Sequence, residues 1–166
     1  MATVFNGEVT TKVRGRLARA LDIGSAEYPI DIPVTQSWTN GTGINQANDA
    51  WTDDRTILSG ANEDLDLSGA LSDAFGTSLV GTKVKEILIY SLPTSVGTLA
   101  ITRPATNGVP IFKAAGDGVD LVPGGLFHFR NPSAAGITIT PSTGDLINLA
   151  ATGGNVTYRV LIIMTI

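Results

Sequence analysis

At 166 residues with a formal net charge of −4 and no cysteine, the chain has the size of one domain, spanning residues 1–166, and disulfide-built modules, thiolate metal sites and cysteine nucleophiles are all excluded. Charged residues make up only 16% of it, against roughly 25% in an average soluble protein, and mean hydropathy is positive at +0.20. A surface this neutral is expected either to be covered by neighbouring subunits or to belong to a compact β-domain with long Ser/Thr/Gly loops.

The first twenty residues hold Lys12, Arg14, Arg16 and Arg19 against Glu8 alone. They lack the continuous apolar core of a signal peptide. "EVTTKVRGRLARAL" fits a long strand or, after Arg14, a short helix, and the strand is the better match. We expect residues 1–20 to form a basic N-terminal arm or edge strand that seats on an acidic protein surface. Four cations without interleaved aromatics are too few for a nucleic-acid arm, so no nucleic-acid partner is expected. In "YPIDIPVTQSW", Ile30, Ile32 and Val34 alternate with polar residues and are predicted to face inward, while the two prolines suit an edge strand.

The next stretch, "SWTNGTGINQANDAWTDDRTI", is predicted as a long polar loop pinned by Trp38 and Trp51. In that reading Asn40, Asn45, Asn48 and Asp49 offer hydrogen bonds to a neighbouring subunit or to a larger shell on which the protein docks. Core packing is the plainer account of the tryptophans. Beyond it, "DRTILSG" and "EDLDLSG" alternate as strands, and "GALSDAFG" is a turn of helix or a tight loop.

From Lys83 onward short runs recur: "KVKEILIYSL", "TLAITRP", "VPIFKA", "VDLVP", "GLFHFRN", "GITITP", "GDLINLA" and "NVTYRVLIIMTI". Gly/Pro/Asn/Asp clusters separate them, as in a β-sandwich or jelly roll. The final run is far shorter than the ~20 residues of a membrane-spanning helix and is predicted as a buried strand, so no membrane partner is expected. The fold class is therefore all-β, a single sandwich with a long polar loop in its first half.

Motifs of chemistry fall short. "GTSLVGTK", Gly76 to Lys83, has the glycine spacing of a phosphate loop, but Thr82 precedes Lys83 where the order should be reversed, and a strand follows. "NGTGIN" carries Gly41 and Gly43 but opens no βαβ unit. "DLDLSG" begins like a calcium loop, yet the position of its bidentate glutamate is Phe75. His128, the one histidine, lies in "GLFHFR" on the sheet face of Leu126 and Arg130, where a packed strand histidine is the simpler reading than a catalytic base. Adjacent carboxylates such as Asp53 and Asp54 point to opposite faces of a strand, which disfavours a glycosidase pair. No catalytic residue, metal or cofactor is predicted.

The segments "NGTGINQANDAWTDDRTILSGANEDLDLSGALSDAFG", "RPATNGVPIFKAAGDGVDLVPGGLFHF" and "STGDLINLAATGGNVTYRVLII" resemble a family of small virion structural proteins of tailed bacteriophages. The resemblance implies a capsid decoration, or cement, role: a protein made in the host bacterial cytoplasm and placed on the exterior of the virion. Its partners would be the major capsid protein and other copies of itself, a homotrimer suiting local threefold positions. Lys12, Arg14, Arg16 and Arg19 are the candidate capsid contacts. The alternative is a tail- or fibre-associated module that recognises a host surface glycan.

Overall fold

The computed structural model describes residues 4–166, and every regular element among them is a β-strand. The body is a two-sheet sandwich. One sheet has the order β10 (Ile137–Thr138), β6 (Lys83–Ser91), β12 (Val156–Thr165), β4 (Asp49–Ile57), with β9 (Leu126–Arg130) sharing the β6 edge beside β10. The other has the order β5 (Asn62–Asp66), β11 (Leu146–Thr152), β7 (Thr98–Thr102), β8 (Gly118–Leu121).

Strand β12 is central because its sequence permits nothing else. Val156, Tyr158, Val160, Ile162 and Met164 alternate on one face and are all buried. The strand is antiparallel to both β4 and β6, so each backbone group of its middle has a ladder partner. Opposite it, Leu65, Leu99, Ile101, Ile147 and Leu149 close the core from the second sheet. Along β6 a bulge opposite Ile163 and Met164 leaves Lys85 out of the ladder. The bulge resets the alternation: Val84, Ile87 and Ile89 all enter the core, while Glu86 turns to the outer face.

Strands β1 (Gly7–Ala20) and β2 (Ser25–Asn40) do not join either sheet of the sandwich. They pair with each other from Gly7↔Trp38 to Ala20↔Ser25, close through a turn in which Leu21 N–H donates to Gly24 O at 3.0 Å, and form a hairpin arm. Only the root of the arm touches the body. From Thr10 to Ala20 every residue of β1 is exposed, and from Ser25 to Thr35 only Ile30 is not. Nine ladder pairs, Lys12↔Pro33 to Ala20↔Ser25, lie beyond the root. At ~3.4 Å per residue they extend about 30 Å.

Three expectations change. Ile30, Ile32 and Val34 share a face as predicted, but the arm carries that face away from the core, leaving Ile32 and Val34 more than half exposed. The long polar loop is only the turn Gly41–Asn45: Trp38 lies within β2, β3 (Gln46–Ala47) pairs alongside the end of β2, and Trp51 sits in β4. The turn is tight because Gly41 has φ 143° and Asn45 φ 55°, and a Cβ on Gly41 would meet Gln46 Oε1 at 2.5 Å. "VPIFKA" is not a strand. Pro110 has no N–H for a ladder, and Arg103 holds the segment as a loop by donating to the carbonyls of Phe112 and Lys113 at 3.0 and 2.9 Å.

Candidate assembly surface on the hairpin arm

The ladder register sorts the arm's side chains into two faces, because directly opposed residues of an antiparallel pair point the same way. One face reads Thr11/Val34, Val13/Ile32, Gly15/Ile30, Leu17/Tyr28 and Arg19/Ala26. The other reads Thr10/Thr35, Lys12/Pro33, Arg14/Asp31, Arg16/Pro29 and Ala18/Glu27. The first is an apolar stripe that meets His128 of the body at Thr11 and is exposed beyond it, Ile30 being half-buried; the second is polar.

On the polar face the charges satisfy one another. Lys12 Nζ lies 3.1 Å from Asp31, Arg14 Nε 3.6 Å from the same carboxylate, and Arg16 donates to Glu27 at 2.7 Å. Lys12, Arg14, Arg16 and Arg19 are balanced across the hairpin by Glu8, Asp22, Glu27 and Asp31, so the arm as a unit is neutral. The basic segment predicted from residues 1–20 meets its countercharges on its own return strand. Such exposed pairs contribute about 0–1 kcal/mol each. They set the arm's charge more than its stability.

The root is held by a buried carboxylate. Glu86, projected outward by the β6 bulge and fully buried beneath the arm, accepts Trp38 Nε1–H at 2.7 Å, His128 Nε2–H at 2.5 Å and Arg130 Nε–H at 2.9 Å. Arg130 also donates to the carbonyl of Val9 at 3.2 Å, and Thr11 Oγ1 lies 3.0 Å from His128 Nδ1. A carboxylate only accepts, so Nε2 carries the proton facing it and Nδ1 is left for the threonine hydroxyl. Trp38, 1% exposed, packs with Ala47 and Ile163 on the outer face of the β12 sheet, joined by Phe5, Val9, Ala50 and Leu161. This second, small core fixes the direction of the arm.

Thr11, His128 and Glu86 thus stand in the order hydroxyl, imidazole, carboxylate beside an open hollow of about 300 Å³ lined by Thr11, Val34, His128 and Arg130. The order resembles a hydrolytic triad, but its members are placed as a latch. His128 shares Glu86 Oε1 with Arg130, which in turn grips the arm's backbone, and Thr11 is a branched hydroxyl in mid-strand. Glu86, which joins these groups, stood in "KVKEILIYSL" and was not singled out from the sequence. The neighbouring Lys85–Glu86 dipeptide inside an apolar run was the available signal, since consecutive charges there require a bulge or buried partners.

The predicted loop residues serve their own chain. Asn40 Oδ1 accepts Phe5 N–H at 3.3 Å, and Asn45 N–H donates to Pro132 O at 2.9 Å while its Oδ1 accepts from Gln36 at 3.2 Å. Asn48 brackets the end of β12, its Oδ1 accepting Ile166 N–H at 2.8 Å and its amide donating to Ile166 O at 3.4 Å. Asp49 is buried, accepts Ala50 N–H at 2.8 Å, and has its pKa raised by that burial, partly offset by the backbone hydrogen bond. Trp51 is in the main core and Trp38 in the small one.

Two acidic groups fit the same pattern. Asp54 forms a two-pronged pair with Arg159 at 2.7 Å, which lowers its pKa, and Glu63 joins Arg55 and the Tyr158 hydroxyl, burial pushing the tyrosine's pKa up. Asp64 and Asp66, the start of the calcium-like segment, accept from Asn148 and from Ser68 N–H. Among the described residues no group of three or more His, Asp or Glu side chains converges as a metal site. No known family model matches the chain, and no curated protein or solved structure matches it significantly.

Proposed function

We propose that this chain is a bacteriophage virion structural protein, a capsid decoration protein that binds the outer shell and stabilises the head, and that it works by attachment rather than catalysis. One observation carries the reading: a hairpin arm extends about 30 Å from a well-packed sandwich, with side chains uncovered on both faces and a buried carboxylate latch fixing its direction. A free two-stranded ribbon is marginally stable in water. An arm that is latched at its root and bare along its length is suited to meeting another protein. In this reading the polar face, with Lys12, Arg14 and Arg16, meets the major capsid protein through paired charges and hydrogen bonds.

The test is copy number and capsid binding together. Quantitative mass spectrometry of purified virions is expected to find hundreds of copies per particle, and purified protein should saturate empty heads in co-sedimentation. Tens of copies or fewer, with no binding to heads, would overturn the decoration reading in favour of a tail or fibre component.

A further inference from the structure

We infer that the apolar face of the β1–β2 arm is a self-association surface, occupied by a second copy of this chain. Val13, Leu17, Tyr28, Ile32 and Val34 are 56%, 65%, 68%, 55% and 52% exposed, and Ile23 at the tip is 94% exposed. With ~150–200 Å² of full surface per side chain, the five of the stripe leave on the order of 500 Å² uncovered. That is the size of the largest patches on ordinary monomers, here concentrated on one ribbon. A standard interface needs about 800 Å² per partner. The stripe supplies most of that.

The occupant follows from charge and geometry. The arm is neutral, four cations against four carboxylates, and Lys12, Arg14 and Arg16 are paired within it, so it carries no net charge to draw a polyanion or an anionic bilayer. The stripe runs from Thr11↔Val34 to Leu17↔Tyr28 before Arg19 interrupts it, six ladder intervals. At ~3.4 Å each this is about 20 Å, short of the ~25 Å apolar band of a membrane-spanning strand. Growth by strand addition on the β2 edge is also blocked. Pro29 and Pro33 have the same parity, and neither has an N–H to offer an added strand. Strand addition on the remaining β1 edge would pair backbone and leave the stripe bare, so what covers the apolar side chains is contact through the face, where a second copy presents a matching neutral, apolar stripe. Contact of like with like closes about a symmetry axis and leaves no stripe over.

This inference concerns the free protein and does not depend on a capsid, so it can fail while shell binding stands. Sedimentation equilibrium of the purified full chain at micromolar concentration should give a defined multiple of 17.2 kDa. The triple variant Leu17→Ser, Tyr28→Ser, Ile32→Ser should weaken association at least about tenfold, with an unchanged thermal transition of the body. The control Arg14→Ser on the opposite face should keep the wild-type mass. Because the chain has no cysteine, Ser25→Cys accepts one dye per copy, and energy transfer between donor- and acceptor-labelled copies should appear on mixing and vanish in the triple variant. A monomeric wild type, or a triple variant that associates as tightly as wild type, would overturn the proposal. So would a monomer that binds phosphatidylcholine/phosphatidylglycerol vesicles through the arm, which would assign the stripe to a bilayer.

Discussion

The two tryptophans show how much the role of a residue depends on which core it enters. Trp51 faces the sandwich interior among the residues of the main core. Truncating such a side chain costs about 3–5 kcal/mol, a large share of a small domain's stability. Trp51→Ala is expected to lower Tm by about 10 °C or more or to prevent folding, as read by calorimetry. Trp38 stabilises only the small cluster on the outer face and supplies one of the donors to Glu86. Trp38→Ala should leave the main transition near its wild-type temperature while making the arm residues 7–40 exchange their amide hydrogens faster. Asp49 gives a pH signature. Its folded pKa is raised, so folding favours the protonated form, and the stabilising effect of protonation is fully present below the unfolded pKa near 3.8 and lost as pH rises through the folded value. Above that window the buried charge is a net cost. Asp49→Asn, which keeps an acceptor for Ala50 N–H, is expected to raise Tm by a few degrees at pH 7 and to leave it unchanged near pH 3.

At the scale of elements, the hairpin explains what was legible and what was not. The alternation of Val13 and Leu17, and of Ile30, Ile32 and Val34, correctly marks strands with one apolar face. Alternation alone is silent about what lies against that face, and an arm reads the same as a core strand until the ladder shows that, among the described residues, Thr10–Ala20 and Ser25–Thr35 pair with each other alone. The polar stretch around Trp38 and Trp51 misled for a related reason. Its Asn and Asp residues are the local turn chemistry of a five-residue reversal and of strand ends, and their hydrogen bonds close on Phe5, Pro132 and Ile166. The basic run misled because its countercharges come from the following strand. An expectation about docking changes with it. A basic arm would bind an acidic surface with steep salt dependence, but a neutral ribbon should not. Under the proposed decoration role, binding to empty heads is expected to change by less than about threefold between 0.1 and 0.5 M NaCl. Replacing Arg14, Arg16 and Arg19 with Ser removes the partner of Glu27, leaves Asp31 with Lys12 alone, makes the arm acidic, and should introduce a salt dependence that the wild type lacks.

For the whole molecule, the strand-rich second half and the buried final run were readable because turn residues punctuate them and β12 is apolar on both faces from Val160 to Met164. The latch was not, since Glu86, His128, Trp38 and Thr11 come from four distant segments. The position of β12 also bears on how the chain is made. All of its partners precede it in sequence, and it lies between β4 and β6 at the middle of its sheet. During synthesis, therefore, β4 and β6 wait unjoined until the ribosome has released everything to Thr165, whereas the hairpin needs only its own neighbouring residues and can form first. A chain stopped at Asn155 is expected to show no cooperative melting by circular dichroism and to precipitate. In a translating cell, the apolar-faced ribbon is thus finished before the body that holds it upright. The interval between those two events is when one nascent copy is most exposed to another on the same message.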